Sequence, residues 1–121
     1  MQHRHRLYFA RFILSLFLLS SVLCYGQLTK QDSATIDSLK RVIENAAHDT
    51  LKIKAMYSWD GMIYASNPQL DWDLNKQVVQ IATAQLAETD LKKEERLYYM
   101  QSQSTSLNVL GIISYDRGEY N

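Results

Sequence analysis

The stretch 51–87, LKIKAMYSWDGMIYASNPQLDWDLNKQVVQIATAQLA, indicates the fold class most clearly. It contains two apolar patterns whose members recur at steps of three and four residues, the period of an α-helix. The first pattern consists of Leu51, Ala55, Trp59, Met62 and Ile63. The second consists of Leu74, Val78, Ile81, Ala82 and Leu86. Ser66-Asn67-Pro68 separates them, because the residue before a proline is pushed out of helical backbone angles. We therefore predict two helices in a hairpin, the second running from Pro68 or Leu70 to Ala87.

Similar patterns on either side predict one further helix before this hairpin and one after it. Asp32 or Ser33 can cap the first of these, and His48-Asp49-Thr50 can cap the helix that follows it. The apolar face of the first helix would consist of Ile36, Leu39, Val42, Ile43 and Ala46. Thr89-Asp90 is predicted to cap a longer last helix, which Asp116-Arg117-Gly118 ends with a left-handed glycine. Its apolar face would consist of Leu97, Met100, Ser104, Leu107, Leu110 and either Ile113 or Ser114. The predicted class is all-α, with antiparallel helical hairpins over 32–121.

The first 26 residues have the three parts of a secretory signal peptide. Residues 1–11 contain three arginines and no acid, and 12–23 form an apolar run interrupted only by serines. Cys24 and Gly26 then place small residues before a cut at Gln27. The apolar run is short for a spanning helix, which needs about 20 residues. The sequence predicts export to the periplasm or the outer face of the inner membrane, with a short flexible lead at 27–31. An uncleaved signal anchor is the alternative.

Cys24 also raises the question of a lipoprotein signal, which ends in a cysteine. Leu23 occupies the preceding position, where lipoprotein processing requires a small residue, so this is the lesser alternative. If Cys24 is removed with the signal peptide, the mature chain contains no cysteine and therefore no disulfide.

Composition argues against several classes of function. After cleavage, ten basic residues stand against thirteen acidic ones, without the clustered basic face that nucleic acid requires. The sequence has no phosphate-binding loop, dinucleotide-binding glycine pattern or nucleophile elbow. His48 fits a surface capping residue better than a catalytic one, and Glu94-Glu95 fits a solvated helix start. We predict no catalytic residues, no metal ligands and no cofactor, and hence not an enzyme.

Residues 106–120, just before the last residue, carry a more specific pattern: Ser106-Leu-Asn-Val-Leu-Gly-Ile-Ile-Ser-Tyr-Asp-Arg-Gly-Glu-Tyr120. This pattern resembles the first helix and turn of a tetratricopeptide repeat, in which a bulky residue, Leu-Gly, an aromatic residue and Gly-x-Tyr recur. The matching residues are Leu107, Leu110, Gly111, Tyr115, Gly118 and Tyr120. The usual aromatic position falls on Ser114, with Tyr115 beside it. The stretch 51–87 resembles a degenerate helical pair of the same kind, although the long last helix breaks the repeat register.

The resemblance implies a fragment of an α-solenoid, a helical interaction module that binds a protein or peptide partner. With the signal peptide, the arrangement resembles the exported front of bacterial membrane-bound sensor proteins, so the segment would act in signal transduction. One alternative is the sensory part of a histidine kinase or nucleotide cyclase whose catalytic domain is missing. Another is a small secreted helical bundle without repeats. Trp72, which lies off the main apolar face, is the candidate partner-binding residue, although partial burial is expected for a tryptophan.

Overall fold

A computed structural model describes residues 30–119, with side chains described from residue 31 onward. Within this range the chain forms four α-helices and no strands. They are α1 (Lys30–Asn45), α2 (Asp49–Ile63), α3 (Pro68–Leu86) and α4 (Lys93–Asp116). The all-α prediction is confirmed. The predicted signal peptide and Tyr120 lie outside the described residues.

The helices pack in chain order, each against the next, and α2 also contacts α4. Contacts between helix ends give their directions. Gln85 near the end of α3 bonds Asp49 at the start of α2, at 2.9 Å, so these two helices are antiparallel. Arg117, just after α4, reaches Gln69 in the first turn of α3, at 3.2 Å, so α3 and α4 are also antiparallel. Consequently α2 and α4 run in the same direction.

The core is built around α3, as its sequence pattern predicts. Leu74, Val78 and Ala82 are at most 2 % exposed. They form one apolar cluster with residues from every other described helix: Ile36, Ile53, Met56, Ile63 and Tyr99. The predicted start of α3 is also confirmed. Asn67 caps the helix by accepting a hydrogen bond from the Leu70 amide at 3.1 Å, and Pro68 occupies the first turn.

The predicted caps of the other three helices are partly wrong. The residue before α2 is His48, as expected, but its side chain makes no capping bond. α1 already includes Lys30, so Asp32 and Ser33 lie within the helix and not before it. α4 begins after Lys92, and Thr89-Asp90 lies in the connection before it. Arg96 holds that connection by donating to the carbonyls of Leu86 and Glu88, at 3.3 and 2.9 Å.

The end of α4 agrees with the prediction. Gly118 has a φ of 73°, in the left-handed region that favours glycine. Its amide donates to the carbonyl of Tyr115, and the Glu119 amide donates to that of Ser114, both at 2.9 Å. This pair of bonds is the Schellman motif, which satisfies carbonyls left free at a helix end.

The predicted apolar faces of α2 and α4 are only partly correct: Ala55 and Ile63 on α2 and Ile113 on α4 are buried as predicted, but other members are not. On α2, Leu51 is 47 % exposed, whereas Ile53 and Met56, which the pattern omitted, are at most 2 % exposed. On α4, Leu97, Met100 and Leu107 are each more than half exposed, and Ser104 is exposed. The buried residues of α4 are Tyr99, Ser102, Ser106 and Ile113. The reason is that α4 contacts both α2 and α3, and its small serines permit close approach where α2 presents a polar side chain.

Candidate functional site

A pocket of about 550 Å³ opens where the end of α2, the start of α3 and the end of α4 meet. Its volume lies in the range of pockets that hold small ligands. Apolar walls come from Pro68 on one side and from Val109, Ile112 and Ile113 on the other. The remaining lining residues are polar or charged: Asp60, Tyr64, Asp71, Asp116 and Arg117. The pocket therefore combines an apolar wall with three carboxyl groups.

Two of these carboxyl groups meet at a buried asparagine. Asp71 is 6 % exposed and Asn75, one helical turn later, is 1 % exposed. The Asn75 Nδ2 donates to Oδ1 of Asp71 at 2.8 Å and to the Asp71 carbonyl at 3.0 Å. Oδ1 of Asn75 and Oδ1 of Asp60 are both buried and have no hydrogen-bond partner among the described residues. This corner of the pocket therefore has more acceptors than donors.

The electrostatics of Asp60 reflect the same imbalance. Burial is the largest cause that raises the pKa of Asp60, from 3.8 to about 6, and the neighbouring Asp71 carboxyl raises it further. The neighbouring Asn75 amide lowers this pKa without offsetting the other causes. Asp60 therefore changes its charge just below neutral pH, where a nearby cation would favour the ionised form.

Arg117 is the positive group that lines the pocket, but it faces a different set of partners. Its guanidinium lies 5.1 Å from the centre of the Trp72 ring, a cation–π arrangement, and donates to Oε1 of Gln69 at 3.2 Å. Within the described range, no ion pair joins Arg117 to Asp60, Asp71 or Asp116. Trp72 is half-buried, as expected, and Arg117 covers part of its ring.

The outward face of α4 adjoins this pocket at Ile112. From Leu97 to Tyr115 the sequence contains no charged residue. Five large apolar side chains on this face are between 51 and 67 % exposed: Leu97, Met100, Leu107, Ile112 and Tyr115. The exposed residues between them are neutral: Gln101, Ser104, Thr105, Asn108 and Gly111. We refer to these ten residues as the neutral face of α4. By contrast, the exposed side of α1 carries Asp37, Lys40, Arg41 and Glu44.

The predicted repeat residues fall at several different places. Leu107, Gly111 and Tyr115 belong to the neutral face, Leu110 is half-buried, and Gly118 forms the turn after α4. A Cβ atom at Gly111 would meet no other atom within 4 Å. No other described helix therefore lies against this glycine, and Tyr120 lies outside the described residues.

Sequence analysis missed the acidic corner of the pocket. Asp71 and Asn75 lie in phase with Leu74, Val78 and Ala82, so the helical period already placed them on the buried side of α3. Buried polar side chains are uncommon and normally have hydrogen-bond partners. Two polar residues inside an apolar face were the signal that could have revealed this site.

Little else in the described residues suggests chemistry. Among them, no group of histidine, cysteine, aspartate or glutamate side chains is arranged to hold a metal ion. His48, Glu94 and Glu95 are exposed. None of the described helices is both long enough and apolar enough to cross a bilayer. Comparison with protein-family models finds no match, and no curated protein or solved structure is significantly similar to this chain.

Proposed function

We propose that this chain is an extracytoplasmic helical interaction module, of tetratricopeptide type, that binds a partner protein through the neutral face of α4. The partner's contribution would be an amphipathic helix laid along this face. The observation that carries the proposal is the exposure of five large apolar side chains on a helix face without charge. Charged residues are depleted at the centres of protein interfaces, and large exposed apolar patches mark binding surfaces.

The packing order supports a helix as the occupant. Each described helix packs on the next, and α2 and α4 run in the same direction at alternate positions of the stack. The outward face of α4 is the next position in this order. Stacked helical hairpins of this kind bury their apolar faces only against neighbouring helices. A helix from the partner would continue the stack, and Gly111 leaves room for its backbone to approach.

Export and signalling are part of the proposal and are supported by the sequence alone. The predicted signal peptide would place the module outside the cytoplasm. There, binding of the partner would be the event that a sensor protein detects.

Site-specific photocross-linking tests the proposal. Benzoylphenylalanine would replace Leu107 in the full chain, expressed in its own host. A matched chain would carry it at Ala84, which is exposed on α3. We expect the Leu107 probe to cross-link to a helical segment of one protein that the Ala84 probe does not reach.

Substitution then confirms that the cross-linked protein is a genuine partner. Leu107→Lys should weaken the purified complex at least about tenfold, as loss of a central apolar contact does, whereas Ala84→Lys should not. Cross-links between two copies of the chain would show that the neutral face mediates self-association and does not bind a different protein. A complex that tolerates Leu107→Lys would show that the neutral face is not the binding surface.

A further inference from the structure

The pocket beside the neutral face has an excess of negative charge and of hydrogen-bond acceptors. Asp60, Asp71 and Asp116 line it, and Arg117 is engaged by Trp72 and Gln69. Oδ1 of Asp60, a residue that lines the pocket, is buried and has no hydrogen-bond partner among the described residues. A buried acceptor without a donor carries an energetic cost. A ligand that brings several donors and a positive charge would offset this cost.

The walls restrict the shape of such a ligand. Pro68, Val109, Ile112 and Ile113 are apolar, so a fully hydrated ion gains nothing from them. No metal-binding arrangement exists among the described carboxylates either. An ammonium group has three N–H donors and no acceptor, and an aliphatic stem matches the apolar wall.

We propose that this pocket binds a primary ammonium group carried on an aliphatic stem. The charged end lies among Asp60, Asp71 and Asp116, and the stem contacts Val109, Ile112 and Ile113. Two sources supply this chemistry. One is a lysine side chain of the protein bound on the neutral face, and this source rests on the proposed function. The other is a free alkylamine, which does not.

The pocket and the neutral face share Ile112, which makes the first source geometrically direct. A helix lying along α4 would pass the pocket near the helix end. A lysine at that point could extend into the pocket while its helix covers Leu107 and Met100. Recognition would then combine an apolar contact with one charge, which adds specificity to an otherwise neutral surface.

Titration followed by NMR tests the site. The full chain would be titrated with n-butylamine, with the tripeptide acetyl-Gly-Lys-Gly-amide, and with the same peptide carrying norleucine in place of lysine. We expect both amines to shift the methyl signals of Val109, Ile112 and Ile113, and norleucine to leave them unchanged. Asp60→Asn should weaken amine binding about tenfold, the usual worth of a hydrogen bond to a charged group. Asp90→Asn removes the same charge in the exposed α3–α4 connection and should have no effect.

The two sources give different results. Tighter binding of the lysine peptide than of butylamine assigns the site to a partner's side chain, and equal binding assigns it to a free amine. Equal shifts from norleucine, equal weakening by Asp60→Asn and Asp90→Asn, or no saturable shift from either amine would overturn the proposal. Leu107 lies outside the pocket, so Leu107→Lys can abolish partner binding without changing the butylamine titration. Failure of the proposed function and failure of this inference are therefore distinguishable.

Discussion

Tyr57 on α2 and Ser106 on α4 are 49 residues apart in the sequence, and their side-chain oxygens lie 3.1 Å apart. The Tyr57 hydroxyl also donates to the Ser102 carbonyl at 2.9 Å. Both serines are buried, so this is a polar contact inside the helix packing. It explains why α4 turns Ser102 and Ser106 inward and leaves larger apolar residues outside. A larger residue in place of either serine would separate α2 from α4.

Tyr57→Phe tests the contribution of this contact. The ring is kept, but Ser106 and the Ser102 carbonyl lose a buried partner. We expect the free energy of unfolding to fall by about 1–2 kcal/mol, as for other lost buried hydrogen bonds. Chemical denaturation measures the change. Tyr64→Phe is the matched control, because Tyr64 is 63 % exposed, and it should change stability little. Equal effects of the two substitutions would contradict the role of the Tyr57 contact.

A second pair of substitutions tests which face of α2 is buried. Ile53 is fully buried, whereas Leu51, two residues earlier, is 47 % exposed. Ile53→Ala should lower the free energy of unfolding by about 2–5 kcal/mol, because it removes core contacts and leaves a cavity. Leu51→Ala should cost less than about 1 kcal/mol, since exposed substitutions have small effects. The melting temperatures of the two variants show whether the Ile53 side or the Leu51 side of α2 is buried. A larger loss from Leu51→Ala would reverse the assignment of the core.

The caps of α3 and α4 give a third prediction. Asn67→Ala removes the side chain that accepts from the Leu70 amide, and we expect a loss of about 1 kcal/mol. Asp90→Ala should cost much less, since Asp90 lies in the connection before α4 and does not cap it. Urea denaturation of the two variants provides the comparison. A substantial loss from Asp90→Ala would mean that α4 begins at the residues the sequence pattern indicated.

The pocket predicts a stability that depends on pH. The pKa of Asp60 is raised from 3.8 to about 6, so the folded chain binds this proton more tightly than the unfolded chain. Between pH about 7 and about 5, the melting temperature should therefore rise as pH falls, and the gain should level off near the unfolded pKa. The groups around Asp60 in the pocket are Tyr64 on its own helix, Asp71 on α3, and Asp116 and Arg117 at the end of α4.

Asp60→Asn should remove most of this pH dependence, and its melting temperature at neutral pH should not fall much, because like-charge repulsion is relieved. Asp90→Asn should keep the wild-type pH profile. An unchanged slope in Asp60→Asn would show that another group in the chain is responsible.

Export predicts a defined new N-terminus. When the full chain is expressed in a host with signal peptidase, the exported product should begin at Gln27. Intact-mass spectrometry and N-terminal sequencing would measure this. Recovery of the complete 14.0 kDa chain in the membrane fraction would favour the signal-anchor alternative instead.

Some features of the fold could be read from individual residues. Pro68 located the start of α3, and Gly118 located the end of α4, because the backbone angles at these positions depend mainly on local sequence. The prediction of the buried face of α3 was also correct, since this helix lies at the centre of the core and its apolar residues fit only one face. The acidic corner around Asp60 was not predicted. It depends on which side chain of α2 meets Asp71 of α3, and no local rule supplies that pairing.

The helical class, most of the helix boundaries and the burial of α3 could be predicted from the sequence alone, because these follow from local backbone preferences and one strong apolar period. Which side of α4 is buried depends on how the helices pack against one another. Leu97, Met100 and Leu107 have the helical spacing of a core face. Packing against α2 and α3 instead requires small residues, Ser102 and Ser106, on the buried side, where the Tyr57 hydroxyl contacts them. The apolar residues are therefore left outside, on the neutral face of α4. Burial is a property of the neighbours as well as of the residue, and the neighbours are known only once the helices are placed.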